Sequence, residues 1–231
     1  MKYNSLFIDL DDTLWDTSAN MKASLEEIYE SYKLNKWFDS FEHFNSIYHP
    51  YNHHLWHQYH HGEIKKEYLT AERFRYPLSQ VGVNLQTEDA QKMNADFLIN
   101  TTLKTKLVPD AIELLEHLKP KYKLYILSNG FQEVQYKKIK NSGLNSYFEK
   151  VILSDDIGYN KPHQKIYEYA LKSTNSKKDT SLMIGDNFDT DITGARNFKM
   201  DQIYFRNGAD YTISFEPTYT VDSLLEIKEI L

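Results

Sequence analysis

Two aspartates one residue apart, Asp9 and Asp11, end a short apolar run near the start of the chain, and two more, Asp186 and Asp191, follow another such run far downstream. Four carboxylates gathered at one rim would repel one another and resist ionisation unless a cation held them together. Neither arginine nor cysteine lies close enough in sequence to serve. Oxygen-only ligands without histidine or thiolate favour a hard divalent ion, magnesium over zinc. Lys161 and the Ser128 hydroxyl, followed by the Asn129 and Gly130 backbone N–H groups, would face that ion from the other side. A phosphate fits between them. The ion and the lysine would neutralise its oxygens, while hydroxyl and amide donors fix its orientation.

Such a site needs two carboxylates in different roles. Beside a cation, Asp9 can attack phosphorus in line, because positive charge cancels the repulsion between an anionic nucleophile and an anionic ester. Asp11 can turn toward the leaving oxygen, protonate it, and then take a proton from the attacking water.

These residues need strands to bring them together. Residues 5–10 read as a short buried strand ending in acids. From about Thr17 to Leu103 the period is helical, with Ser18 as a candidate N-cap. Apolar positions mark five helices there. The second centres on Phe41, Phe44 and Tyr48, and the third on Leu55, Trp56 and Tyr59, closed by Gly62. After Pro109 strands alternate with helices: strands at 123–127, 150–153, 181–184 and 202–205, helices at 131–142, 163–173 and near 190–198. That alternation predicts an α/β fold, a doubly wound open parallel sheet with right-handed crossovers. Ligands collect at the carboxyl ends of such strands, where every candidate residue falls. The organisation is a core of 1–16 and 104–231, interrupted by an all-helical cap at 17–103. Hinges are expected near Trp15 to Ser18 and Lys104 to Pro109, for a cap closing over the site.

Composition narrows the function. The chain has 231 residues with a net charge of −6 and no local basic stripe, which argues against binding a nucleic-acid polymer. No cysteine is present, so disulfides, thiolate metal sites and a cysteine nucleophile are excluded. The apolar runs are far short of a membrane span, and the first residues run straight into acids, unlike a secretory signal. A cytoplasmic protein acting on a small phosphorylated molecule is expected.

In order, Asp9-Leu10-Asp11-Asp12-Thr13, Ser128, Lys161-Pro162 and Gly185-Asp186-Asn187-Phe188-Asp189-Thr190-Asp191 resemble the motifs of the haloacid dehalogenase-like superfamily of phosphohydrolases. By that resemblance the core is Rossmann-like and the helical insertion a type-1 cap. Asp9 is the phosphorylated nucleophile, Asp11 the acid/base with its backbone carbonyl on Mg2+, Asp186 a metal ligand, and Asp191 a group that reaches the ion through another ligand or a water. A narrower resemblance, through Leu127 to Gln135, Ser142-Gly143-Leu144, Tyr147-Phe148 and Ser154 to Pro162, is to the branch containing pyrimidine-nucleotide 5′-phosphatases that also act on noncanonical nucleotides. It implies a 5′-nucleotidase acting on nucleoside monophosphates. Phe198-Lys199 stands where that pattern usually has a small residue and glycine, and His163-Gln164 follows Lys161-Pro162 where a second proline is common.

Other readings use the same residues. A sugar-phosphate phosphatase or phosphomutase shares them, whereas a 2-haloacid dehalogenase needs only the attacking aspartate. A receiver-like signalling module also phosphorylates an aspartate beside magnesium, but it places the acceptor after the third strand and needs no large helical insertion. Asp12 and Asp189 read as solvated or capping acids, Thr13 as a loop-fixing residue, and Asn187 as a metal-water contact or a cap. His53, His57 and His61 align on one helical face without an acidic partner in sequence and read as an exposed cluster rather than a zinc site. Among the aromatics, Tyr48, Tyr51, Trp56 and Tyr59 are candidates to stack on a nucleobase.

Overall fold

In the computed structural model, which describes residues 2–208 and 213–231, the chain divides into two compact units, Ser18–Lys104 and Met1–Thr17 with Thr105–Leu231.

The helical unit is formed by α1 (Thr17–Ser31), α2 (Phe41–His60), α3 (Lys66–Ser79) and α4 (Thr87–Thr102). Their apolar stripes meet in one core, with Leu25 and Ile28 from α1, Phe44 and Tyr48 from α2, Phe74 and Leu78 from α3, and Met93 and Phe97 from α4. The sequence reading splits α2 into two helices, but the structure continues it through Pro50. Proline removes an amide donor and crowds the preceding turn, at about 3 kcal/mol in a helix interior. Phe44 and Tyr48 before it and Asn52 and Leu55 after it lie on one buried stripe, and burying that stripe outweighs the local defect. Ser18 falls inside the first turn of α1, which begins at Thr17, so it is not the N-cap.

Arg73 of α3 lies among these apolar side chains with 1% of its surface exposed. Its Nε donates to the Tyr48 hydroxyl at 2.9 Å, and its guanidinium lies 4.5 Å from the Phe97 ring centroid.

The other unit is a single parallel sheet covered on both faces. Its strands are β1 (Ser5–Ile8), β2 (Lys123–Ser128), β3 (Lys150–Leu153), β4 (Ser181–Gly185), β5 (Asp201–Phe205) and β6 (Tyr219–Val221). They are ordered β3-β2-β1-β4-β5-β6, each parallel to its neighbours. Alternation along each strand sends Leu6, Ile8, Leu124, Ile126, Leu182 and Ile184 into one core. Phe7, Tyr125, Leu127 and Met183 face the other. The first core is covered by Leu114, Leu115 and Leu118 of α5 (Ala111–Leu118), Ile139 of α6 (Gln132–Asn141) and, further along the chain, Ile227. The second is covered by Ile166, Tyr167 and Ala170 of α7 (Gln164–Thr174) and Ala195 of α8 (Thr193–Asn197). α9 (Ile227–Ile230) ends the fold.

Three elements, α5, β6 and α9, are absent from the sequence reading. β6 has three residues, too few to show a period, and exists because it pairs with Ile203 to Phe205 of β5. The helix read near 190–198 opens as a π-helical turn, Phe188–Ile192, before continuing as α8. Lys199, standing where glycine is usual, takes a φ of 61°, the left-handed conformation that glycine adopts without steric cost. No helix among the described residues is long and apolar enough to cross a membrane.

Candidate active site

Strand order reverses at β1. The chain runs from β1 to β2 to β3 on one side, whereas β4, β5 and β6 lie on the other. Ile8 is level with Ile126 of β2 and Ile184 of β4, so the loops leaving these three strands emerge side by side. This is the switch point at which an open parallel sheet forms a crevice for ligands.

Asp9 is the first residue past β1, fixed by donating its backbone N–H to Ile184 O at 2.9 Å. Its Oδ1 lies 2.6 Å from Lys161 Nζ, which lies equally 2.6 Å from Asp191 Oδ1. The ammonium also donates to Leu127 O at 2.7 Å. All three charged groups are buried. Burial alone would lower the Lys161 pKa, but Asp191 and Asp9 outweigh it and raise the pKa above that of an ordinary lysine. Burial, only partly offset by Lys161 and reinforced by Asp191 and Asp11, pushes Asp9 up to about 7. The same desolvation raises Asp191 against the pull of Lys161.

Asp186 and Asp191 are placed by the turn after β4. Thr13 Oγ donates to Asp186 Oδ1 at 2.8 Å and accepts from the Asp186 backbone N–H at 3.1 Å, tying this turn to the one after β1. Asn187 is a helix cap: its Oδ1 accepts from Asp189 N at 3.1 Å and Thr190 N at 3.0 Å. Its own N–H donates to Asp191 Oδ2 at 3.2 Å. Gly185 has no side chain because a Cβ there would overlap the Asp191 carboxylate. Burial first, then the charges of Asp9, Asp191 and Asp12, hold Asp186 well above the usual carboxylate range.

Carboxylate oxygens of Asp9, Asp186 and Asp191 lie within 4.8 Å of one another. Three oxygen donors of one kind, each held above its ordinary pKa by burial, with carboxylate repulsion adding to it at Asp9 and Asp186, fit a hard divalent cation. A magnesium ion is compatible with this donor set. The Asp11 carboxylate lies outside it, so any share of Asp11 in ion binding falls to its backbone carbonyl.

Asp11 is instead gripped by neutral and cationic donors. Lys138 Nζ donates to Oδ1 at 2.7 Å, Thr17 Oγ to the same oxygen at 3.0 Å, and Gln135 Nε2 to Oδ2 at 2.6 Å. Burial favours the neutral acid, but the Lys138 charge and these hydrogen bonds win and lower the Asp11 pKa. Gln135 and Lys138 received no role from sequence. The available signal is that polar side chains share the buried face of α6 with Val134 and Ile139.

Ser128 ends β2 and is buried. Its Oγ accepts from Gln135 Nε2 at 2.7 Å and from the Gly130 N–H at 3.1 Å. The Gly130 N–H, expected to face a phosphate, is thus engaged inside its own loop. Asn129 turns to Lys161, donating Nδ2 to its carbonyl at 2.9 Å and accepting its N–H at 2.7 Å. The Asn129 side chain therefore supports the lysine.

In the helical unit, the candidate aromatics differ in availability. Tyr48 is a core residue, packed on Phe44, Phe74 and Phe97, and offers no free face to a base. Tyr51 stacks on Tyr76 with centroids 3.7 Å apart. Trp56 and Tyr59 meet edge to face. His53, His57 and His61 are exposed, and the rings of His57 and His61 stack 4.4 Å apart.

Known proteins share this framework. Pyrimidine 5′-nucleotidase YjjG of Escherichia coli is 27% identical over 233 residues, covering 100% of this chain and 99% of that protein. Glyceraldehyde 3-phosphate phosphatase of Pyrococcus furiosus is 32% identical, covering 98% and 92%. The structure of the HAD-hydrolase YfnB of Bacillus subtilis bound to magnesium superposes with a TM-score of 0.90 at 24% identity, over 100% of this chain and 99% of that one. The model of the haloacid dehalogenase-like hydrolases matches residues 3–199, spanning every strand-end acid described above. The chain belongs to that family of enzymes, the haloacid dehalogenase-like hydrolases.

Proposed function

We propose that this enzyme hydrolyses small phosphate monoesters with Mg2+, through a phosphorylated Asp9, and that its substrates are nucleoside monophosphates, pyrimidine ones foremost. The observation that carries the reading is the division of labour between two acids one residue apart. Asp9 sits against Lys161 within the cluster of three carboxylates, and Asp11 is held apart by its own donors.

In this reading an Asp9 carboxylate oxygen forms a bond to phosphorus while the bond from phosphorus to the substrate oxygen breaks, and Asp11 delivers a proton to that leaving oxygen. Lys138 lowers the proton affinity of Asp11, and a phosphate dianion brought beside it raises that affinity again. Water then attacks the acyl phosphate, Asp11 takes its proton, and the bond from Asp9 to phosphorus breaks to release inorganic phosphate. Lys161 balances charge on the nucleophile and on the phosphoryl oxygens, and Ser128 donates a hydrogen bond to one of them. A bound divalent cation would supply further charge neutralisation at the phosphoryl group.

Support for the substrate class comes from relatives along the whole chain, pyrimidine 5′-nucleotidase YjjG among them. The relative named for glyceraldehyde 3-phosphate makes triose phosphates the second class to try. The test is magnesium-dependent phosphate release from pyrimidine and purine monophosphates, ribo and deoxy, alongside glyceraldehyde 3-phosphate and a 2-haloacid. Preferential release from pyrimidine nucleotides is expected. Turnover of the haloacid alone, or an Asp9→Asn variant that still releases phosphate, overturns the reading.

A further inference from the structure

One side-chain amide joins the two halves of the candidate chemistry. Gln135 Nε2 donates to both Asp11 Oδ2 and Ser128 Oγ, at 2.6 and 2.7 Å, so both of its hydrogens are used. The Gly130 N–H adds a second donor to Ser128 Oγ. With both acceptor positions of the hydroxyl filled, its own proton is left to donate outward, as binding a phosphoryl oxygen demands. The orientation of Gln135 has a cost: its Oε1 is buried without a hydrogen-bond partner. Turning the amide over would set Oε1 against the Asp11 carboxylate, which can only accept, and would draw the Ser128 proton inward.

Lys138, one turn further along α6, is 6% exposed. Its Nζ pairs with Asp11 Oδ1 and lies 4.1 Å from the Trp15 ring centroid. Gly130 completes the arrangement, since a Cβ at that position would overlap the Gln135 side chain.

The geometry points to Gln135 and Lys138 as positioning residues. From one face of α6 they hold the Asp11 carboxylate where it can serve the leaving oxygen, and Gln135 also sets the direction of the Ser128 hydroxyl. This inference rests on the phosphatase reading of Asp9 and Asp11. Proton delivery to a leaving group matters most when that group is a poor one, and a misplaced acid therefore has a distinctive signature.

The experiment measures kcat/KM, which reports steps up to departure of the leaving group, for a series of substituted phenyl phosphates with Mg2+. The wild-type enzyme is compared with Gln135→Leu, Lys138→Met and Lys138→Arg. Lys138→Met keeps an unbranched stem against Trp15 while removing the charge. Expected are losses of about tenfold or more with the least acidic phenol and under about threefold with the most acidic, in both Gln135→Leu and Lys138→Met. Lys138→Arg should restore most of the lost rate. Equal losses along the series overturn the positioning role while leaving the phosphatase reading intact. A wild-type enzyme inert toward every phenyl phosphate and every nucleotide overturns both. Should one variant fail to fold, as judged by circular dichroism, the slope of the other decides.

Discussion

Asn129 grips Lys161 by its main chain at two points, donating to the carbonyl and accepting from the N–H, so that a residue following β2 fixes the backbone beneath the buried ammonium. The lysine is thus aimed at Asp9 and Asp191 from both ends of its side chain.

Replacing Asn129 by alanine removes both bonds and leaves two buried main-chain groups unpaired. A displacement of about 1 Å at a charge-stabilising group can cost ~10²-fold in rate. We expect Asn129→Ala to lower kcat/KM by about that factor with an unchanged circular dichroism spectrum. Steady-state kinetics on the preferred nucleotide provide the check, and full activity would show that Lys161 holds its place without the clamp.

Gly185→Ala should act on the opposite side of the same ammonium. The added methyl must displace the Asp191 side chain, which is fully buried. Overpacking of this kind costs roughly 1–3 kcal/mol, and the displaced carboxylate no longer meets Lys161. Chemical denaturation and turnover should fall together, and an active variant of wild-type stability would contradict the contact.

Without metal, stability should decline as pH rises. Asp9 is held up to about 7 in the fold, against roughly 3.9 in an unfolded chain. Between those values the folded form binds more protons. Its contribution is therefore complete below about pH 4 and is lost as pH rises through 7. The effect is on the order of a few kcal/mol. Mg2+ should oppose it by binding the ionised carboxylates. Thermal melts with and without Mg2+ should show a larger stabilisation by the ion at pH 8 than at pH 5, and equal shifts would refute the linkage.

Tyr48→Phe tests the helical unit by itself. It removes the hydroxyl that accepts from the buried Arg73 Nε–H while keeping the ring in the core. Leaving a buried charged donor unpaired costs about 1–3 kcal/mol or more. Urea denaturation should register that loss, whereas an unchanged midpoint would mean that the guanidinium finds another acceptor.

Much of the site could be read along the chain because motif residues sit next to strand ends. A run such as Ser181 to Gly185 announces its own burial, and Asp186 follows it at once. The same logic places Asp9 after Ser5 to Ile8 and Ser128 at the end of β2. Element boundaries fared less well where burial overrides local preference, as in α2 running through Pro50. They also failed where an element is too short for periodicity, as in β6, which depends on its neighbour.

Sequence by itself determined which acids could do chemistry and that parallel strands deliver them, since both follow from residue type and local spacing. Tertiary structure alone decided the partners. That Asn129 supports Lys161 and that Gln135 and Lys138 grip Asp11 are pairings across as many as 127 positions of chain. A side chain's hydrogen-bond direction depends on what folding brings opposite it, and no periodicity in one segment records the identity of another.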